Sequence, residues 1–114
     1  PCVRCCPTDA SFVAEGGIVM VEPSKCIGCG ACVESCPYDV RFMHPEGYAA
    51  KCTFCSHRVK EGKDPACVDV CPTNCLYFGD IDDPKTEIAQ ILKKRKWHTL
   101  APEAGTKPQV YYLT

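Results

Sequence analysis

Cys26-Ile27-Gly28-Cys29-Gly30-Ala31-Cys32-Val33-Glu34-Ser35-Cys36-Pro37 sets four cysteines at intervals of two, two and three residues and closes on a proline. Its second half occurs twice more, as Cys2-Val3-Arg4-Cys5-Cys6-Pro7 and as Cys67-Val68-Asp69-Val70-Cys71-Pro72, so the chain carries three copies of Cys-Val-x-x-Cys-Pro. The middle copy follows Cys26-x-x-Cys29, and the third follows Cys52-x-x-Cys55 after an insertion. The first copy lies at the start of the chain, which therefore reads as opening in the middle of a repeat. Twelve cysteines in 114 residues is a load that implies disulfides, zinc or iron–sulfur clusters, and composition alone does not separate the three.

Spacing does separate them. Cys26, Cys29, Cys32 and Cys36 followed by Pro37 match the bacterial ferredoxin run C-x2-C-x2-C-x3-C-P without a mismatch. Two-residue spacers let a tight loop turn successive thiolates toward one side of a cuboidal cluster, and soft thiolates suit iron. Gly28 and Gly30 allow backbone to approach the cluster sulfides. The three-residue spacer sets Cys36 one helical turn on, facing a second cluster, and the proline ends that turn.

The flanking sequence fits an α+β, loop-rich, ferredoxin-like [4Fe–4S] cluster-binding fold of short hairpins and helical turns. Residues 11–14 and 18–21 read as two strands joined by Glu15-Gly16-Gly17, and residues 39–43, 76–79 and 110–113 as further strands. Residues 31–35 and 65–70 read as single helical turns, and residues 55–61 as a helix stopped by Gly62. After Asp80 the character changes. Asp83 and Pro84 are expected to open a helix carrying Ile88, Ile91 and Leu92 on one face and ending in Lys93-Lys94-Arg95-Lys96. Residues 1–80 thus read as a cluster-binding region, incomplete at its N-terminus, and 81–114 as a helix, loop and strand extension packing on it.

In two-cluster ferredoxins the fourth cysteine of each run serves the other cluster. Cys6 is the nearest lender to the middle run, so Cys26, Cys29, Cys32 and Cys6 are expected to complete one cluster. Cys2 and Cys36 then belong to a second, whose other two ligands lie upstream. Cys52, Cys55 and Cys67 hold three corners of another, and its fourth ligand and the cluster that Cys71 serves come from a motif outside this sequence. Alignment of the repeats leaves two cysteines over. Cys5 stands where Ser35 and Val70 stand, and Cys75 where Ala10 and Val40 stand, positions at which cysteine acts as a small hydrophobe.

These motifs resemble the iron–sulfur subunits of molybdopterin oxidoreductase complexes related to dimethyl sulfoxide reductase, the polysulfide reductase electron-transfer subunit most of all. The likeness rests on Pro1 to Thr8, the run from Cys26 to Pro37, Lys51-Cys52-Thr53-Phe54-Cys55-x-His57-Arg58 with Pro65-Ala66-Cys67-Val68, Phe78 to Pro84, and the tail from Pro102 to Tyr112. It implies a subunit without chemistry of its own that carries several [4Fe–4S] clusters. Its implied partners are a molybdopterin catalytic subunit and a quinol-binding membrane subunit, in a membrane-associated complex on the periplasmic face, the cytoplasmic face being the alternative. Family members carry four such motifs, and this sequence departs from them at its start.

Two other readings compete. A freestanding polyferredoxin needs the same motifs, and Cys52-x2-Cys55-x11-Cys67-x3-Cys71 alone would pass for a structural zinc site. Zinc has no need of the middle run, and a disulfide scaffold has no need of three near-identical repeats. The net charge of −1, with acidic and basic residues interspersed, offers nothing to nucleic acid. No run of about 18 apolar residues is present to span a bilayer. His44, His57 and His98 read as ordinary surface residues, and Lys93 to Lys96 as cations that meet a helix dipole. No nucleophile–base set, paired carboxylate site or phosphate loop appears, which leaves independent catalysis without residues.

Overall fold

A computed structural model describes residues 1–114. The chain divides into two compact units, Pro1–Phe54 and Cys55–Thr114. The first unit holds α1 (Cys2–Cys5), β1 (Ser11–Val13), β2 (Val19–Val21), α2 (Ala31–Ser35), β3 (Phe42–Met43) and β4 (Ala49–Ala50). The second holds α3 (Ser56–Val59), α4 (Ala66–Val70), α5 (Glu87–Lys94), β5 (Trp97–His98) and β6 (Tyr112–Leu113). Helices and small two-stranded antiparallel sheets share the chain, so its class is α+β.

Each repeat folds the same way, for reasons local to its sequence. A one-turn helix covers the first cysteine, and the second stands just past its end in extended backbone: φ −73°, ψ 117° at both Cys6 and Cys36, and φ −65°, ψ 114° at Cys71. The following proline forces this, because its ring excludes the helical region for the residue before it. Three residues after each cysteine the chain turns through the left-handed region at Asp9 (φ 58°), Asp39 (φ 56°) and Asn74 (φ 52°). Asp and Asn are the non-glycine residues that tolerate it best.

In the first unit α1 packs on α2, and the hairpin β1–β2 pairs Ser11 with Val21, Phe12 with Met20 and Val13 with Val19. A 3-10 turn at Glu15–Gly17 joins its strands. β3 and β4 form a second hairpin, with Phe42 opposite Ala50. Gly28 is held at φ 75°, where a Cβ would lie 2.6 Å from the Gly47 carbonyl oxygen, so the cysteine loop and the β3–β4 turn meet at a point that only glycine allows.

In the second unit Arg58 ties α3 to α4: Nε donates to the Asp64 carbonyl at 2.8 Å and Nη2 to the Asp69 carboxylate. Pro65, at the N-cap of α4, is fully buried. Further on, the Trp97 indole N–H donates to Leu92 O at 3.2 Å, and β5 pairs with β6, Trp97 opposite Leu113.

Several expectations from sequence need correction, among them the strand expected over 110–113, which shrinks to Tyr112–Leu113. Residues 76–79 form no strand, because no partner strand reaches them. The strand expected over 39–43 shrinks to Phe42–Met43, since Asp39 is spent on the left-handed turn. The helix expected at Asp83 begins later. Asp83 Oδ1 accepts from Lys85 N in a turn, and Thr86 is the cap, its hydroxyl oxygen accepting from Ala89 N at 3.3 Å. The helix expected over 55–61 is the single turn Ser56–Val59, with Gly62 at φ 79° after it.

The apolar core is very small. Ala10, Ala49 and Ala89 are its only buried members besides Pro65, while Phe12, Phe42, Val70 and Trp97 among others are exposed. One-turn helices and two-residue strands have little stability of their own. What holds such a chain must come chiefly from elsewhere, and its thiols are the groups placed to supply it. No helix is long and apolar enough to cross a membrane.

Candidate metal centre

In the first unit four cysteines from three places in the sequence line one cavity. Cys6 arrives from the extended end of α1, Cys26 and Cys29 from the glycine loop, and Cys32 from the first turn of α2. The cavity holds about 290 Å³ of space free of atoms, its mouth to solvent included, and Thr8, Gly30 and Ala49 complete much of its wall. Donors already point at the sulfurs: Ala49 N–H donates to Cys26 Sγ at 3.4 Å, and the Thr8 hydroxyl lies 3.7 Å from Cys6 Sγ. The Cys6 thiol is pulled down to about 7, chiefly by the backbone N–H of Ser11, then by Thr8 and Ala10, with burial opposing them. A sulfur held among N–H groups is ready to bind as thiolate, the form that iron takes.

Cys2 and Cys36 stand apart from that cavity, in cationic surroundings. The Arg41 guanidinium donates through Nη2 to Cys2 Sγ at 3.1 Å and to Ser11 Oγ at 2.9 Å. Lys51, half-buried, donates to the carbonyls of Val19 and Cys52 and senses the charges of Arg41, Cys52, Cys2 and Cys36. Its ammonium titrates below the ordinary lysine range, mainly because burial disfavours the charge and secondarily because Arg41 repels it. Cys52 Sγ accepts from Phe54 N at 3.4 Å.

The second unit carries Cys55, at the N-cap of α3, Cys67 in α4, and Cys71 beyond its end. Cys71 Sγ lies 3.5 Å from Thr73 Oγ1 and 3.6 Å from Cys75 Sγ. The Thr73 hydroxyl and the backbone N–H groups of Cys75 and Thr73 bring the Cys71 thiol down to about 6. Cys5, the other cysteine set aside on sequence grounds, meets Ser35 at 3.4 Å, its counterpart in the next repeat.

The donor set fits a cluster better than a single ion. All twelve cysteines are free thiols. A ring of four thiols around a cavity, with N–H groups facing sulfur, suits the larger cuboidal group. Sequence reasoning passed over Arg41, Lys51, Thr8 and Thr73. The threonines had a signal, two residues after Cys6 and Cys71 at the same point of the repeat.

The class of protein is therefore one that holds iron–sulfur clusters on cysteine repeats. Residues 1–81 match the 4Fe–4S dicluster domain, and the protein belongs to that family, with [4Fe–4S] clusters as its cofactors. It is 47% identical over 116 residues to a tetrathionate reductase subunit of Salmonella typhimurium, spanning 99% of this chain and 46% of that protein. It is 47% identical over 117 residues to a polysulfide reductase component of Wolinella succinogenes, spanning 99% and 60%. With the arsenate respiratory reductase iron–sulfur subunit of a Shewanella species it shares 31% identity over 162 residues, spanning 99% and 69%. The chain spans about half the length of the first two of several curated relatives it matches.

Proposed function

We propose that this chain is the electron-conducting part of a respiratory reductase, relaying electrons between a quinol-oxidising membrane subunit and a molybdopterin catalytic subunit. The observation that carries the reading is that Cys6, from the neighbouring repeat, lines one cavity with Cys26, Cys29 and Cys32, while Cys36, the fourth cysteine of the middle run, does not line it. That arrangement suits two adjacent clusters in a ferredoxin-like fold and gives a single ion no advantage. The printed names of the relatives, subunits of tetrathionate, polysulfide and arsenate respiratory reductases, support the setting.

On this reading Cys6, Cys26, Cys29 and Cys32 ligate one cluster, and Cys2 and Cys36 contribute to a second. Cys52, Cys55 and Cys67 contribute to a third, and Cys71 serves a neighbour of it. Residues 81–114 form an extension on the cluster-binding region. The bound clusters supply one-electron storage. The chain's own residues hold the sulfurs, donate N–H groups to them and keep bulk water off the buried side. The complex sits at the membrane, on its periplasmic face.

The test is composition. Protein purified without air from its source should contain iron and acid-labile sulfide in near-equal amounts, with molybdenum in the same fraction. Iron without molybdenum would point to a freestanding polyferredoxin, and zinc alone would overturn the reading. Within the same preparation Cys29→Ser should remove one cluster's electron paramagnetic resonance signal, and Cys75→Ser should leave every signal in place.

A further inference from the structure

Arg41 is among the most buried polar residues of the chain, at 5% exposure. One arm of its guanidinium is spent on Cys2 Sγ and Ser11 Oγ, and the other nitrogen, Nη1, is buried without a hydrogen-bond partner. A buried guanidinium keeps its charge, because arginine does not deprotonate in proteins. Leaving one of its N–H groups unpaired is costly unless a further acceptor is there to take it. Cys2, whose Sγ accepts from the same guanidinium, is proposed as a cluster ligand, and a cluster held there would supply sulfur acceptors beside the unpaired arm.

The repeat makes the contrast internal. Arg41 stands five residues after Cys36, and the matching residue five after Cys6 is Ser11. The two counterparts touch, and the cation lies on one side of the pair only. Every residue that lines the cavity of Cys6, Cys26, Cys29 and Cys32 is uncharged apart from the thiols themselves, and the donors that reach those sulfurs are backbone amides and the Thr8 hydroxyl. Cys2 is hydrogen-bonded by Arg41, and the ammonium of Lys51 interacts electrostatically with both Cys2 and Cys36.

We propose that Arg41 sets the difference in reduction potential between the two neighbouring clusters, making the one bound through Cys2 the easier to reduce. Uptake of one electron makes the thiolate-ligated centre more negative by one unit, with no bond or proton exchanged. A fixed cation hydrogen-bonded to a ligand sulfur stabilises that reduced state more than the oxidised one, and burial limits its screening. Arg41 is thus a positioning residue for charge, and the direction of downhill electron flow between the clusters follows from which repeat carries it. The inference rests on Cys2 being a cluster ligand.

The experiment is a mediated redox titration of the anaerobically purified protein with its clusters, read by electron paramagnetic resonance, on Arg41→Met, Arg41→Gln and Arg41→Lys. Cys2→Ser identifies the signal to follow as the one it removes. At the ambient potential where that cluster is half reduced in the unaltered protein, Arg41→Met and Arg41→Gln should lower its reduced-to-oxidised ratio about tenfold, equivalent to about 59 mV for a one-electron couple. Arg41→Lys should recover at least half of that shift, and the neighbouring cluster should not move. If Cys2→Ser removes no signal, the ligand reading fails and takes this inference with it. If Cys2→Ser removes a signal whose ratio is unchanged in Arg41→Met and Arg41→Gln, the ligand reading stands and the inference is wrong. Loss of that cluster's iron in all three Arg41 variants would make the residue purely structural and overturn it as well.

Discussion

Cys36 and Cys71 stand at the same point of the same repeat, each in extended backbone at the end of a one-turn helix and each before a proline, yet their surroundings differ. In the first unit two copies of the repeat face each other. α1 packs on α2, Cys5 meets Ser35, Ser11 meets Arg41, and Ala10 is buried to 1% exposure. In the second unit the repeat occurs once. There Cys75, the counterpart of Ala10, is exposed, and so are Leu76, the counterpart of Ser11 and Arg41, and Val70 at 75%. The repeat carries its own backbone geometry, because proline and Asp or Asn dictate it residue by residue. It does not carry its own burial: Ala10, Ser11 and Arg41 are buried where two copies face each other, although Val40, the other counterpart of Cys75, stays 54% exposed there.

The largest effect that could break this comparison is removal of iron. If the paired unit were held by buried apolar surface, the iron-free chain would keep a cooperative, native-like thermal transition. Its three buried alanines, Ala10 and Ala49 in the first unit and Ala89 in the second, are too few for that. The expected outcome in circular dichroism is a largely unfolded apo chain with no sharp transition, refolding only as cluster binding supplies the missing free energy.

A smaller and more local contrast lies in two glycines, one in each unit. Gly28 (φ 75°) and Gly62 (φ 79°) both need the left-handed region, but a Cβ at Gly28 would meet Gly47 O at 2.6 Å and one at Gly62 would meet nothing within 4 Å. Gly62→Ala should therefore lose only about 1 kcal/mol of stability, from the strained backbone alone. Gly28→Ala adds a backbone clash that no rotamer relieves, and should cost about 3 kcal/mol or more, with loss of cluster iron on gel filtration. Equal behaviour of the two variants in denaturant melts would show that the close approach of loop and hairpin is not needed.

How far the sequence could be read follows the same division. The hairpin of residues 11–21, the helical turns at Ala31 and Ala66 and the grouping of Cys6 with Cys26, Cys29 and Cys32 around one cavity were legible, because turn glycines, prolines and cysteine spacing act locally. The strand expected over 76–79 failed because a strand needs a partner that periodicity does not reveal. The start of α5 failed because Asp83, Pro84 and Thr86 all offer helix-opening chemistry, and only the bond from Ala89 N to Thr86 decides among them. Arg41 stayed hidden for a related reason. A lone arginine between the apolar Val40 and Phe42 reads as the solvent side of a short strand, and its burial comes from the facing repeat.

The smallest effect concerns the bridge in the second unit from Arg58 on α3 to Asp69 on α4. Its side chains are 30% and 48% exposed, so water and salt screen the pair, and such pairs contribute about 1 kcal/mol or less. Arg58→Gln removes that charge pairing and the donor to Asp64 O. The amides of Val68 and Asp69, which donate to Pro65 O in α4, should then exchange with deuterium about fivefold faster, while Gln90 N, bonded to Thr86 O in α5, should not change. High salt should reproduce part of that acceleration in the unaltered protein. Exchange faster by about a hundredfold, or spreading to α5, would mean that the bridge holds its unit as firmly as the facing repeats hold theirs, and the contrast drawn between the two units would fall.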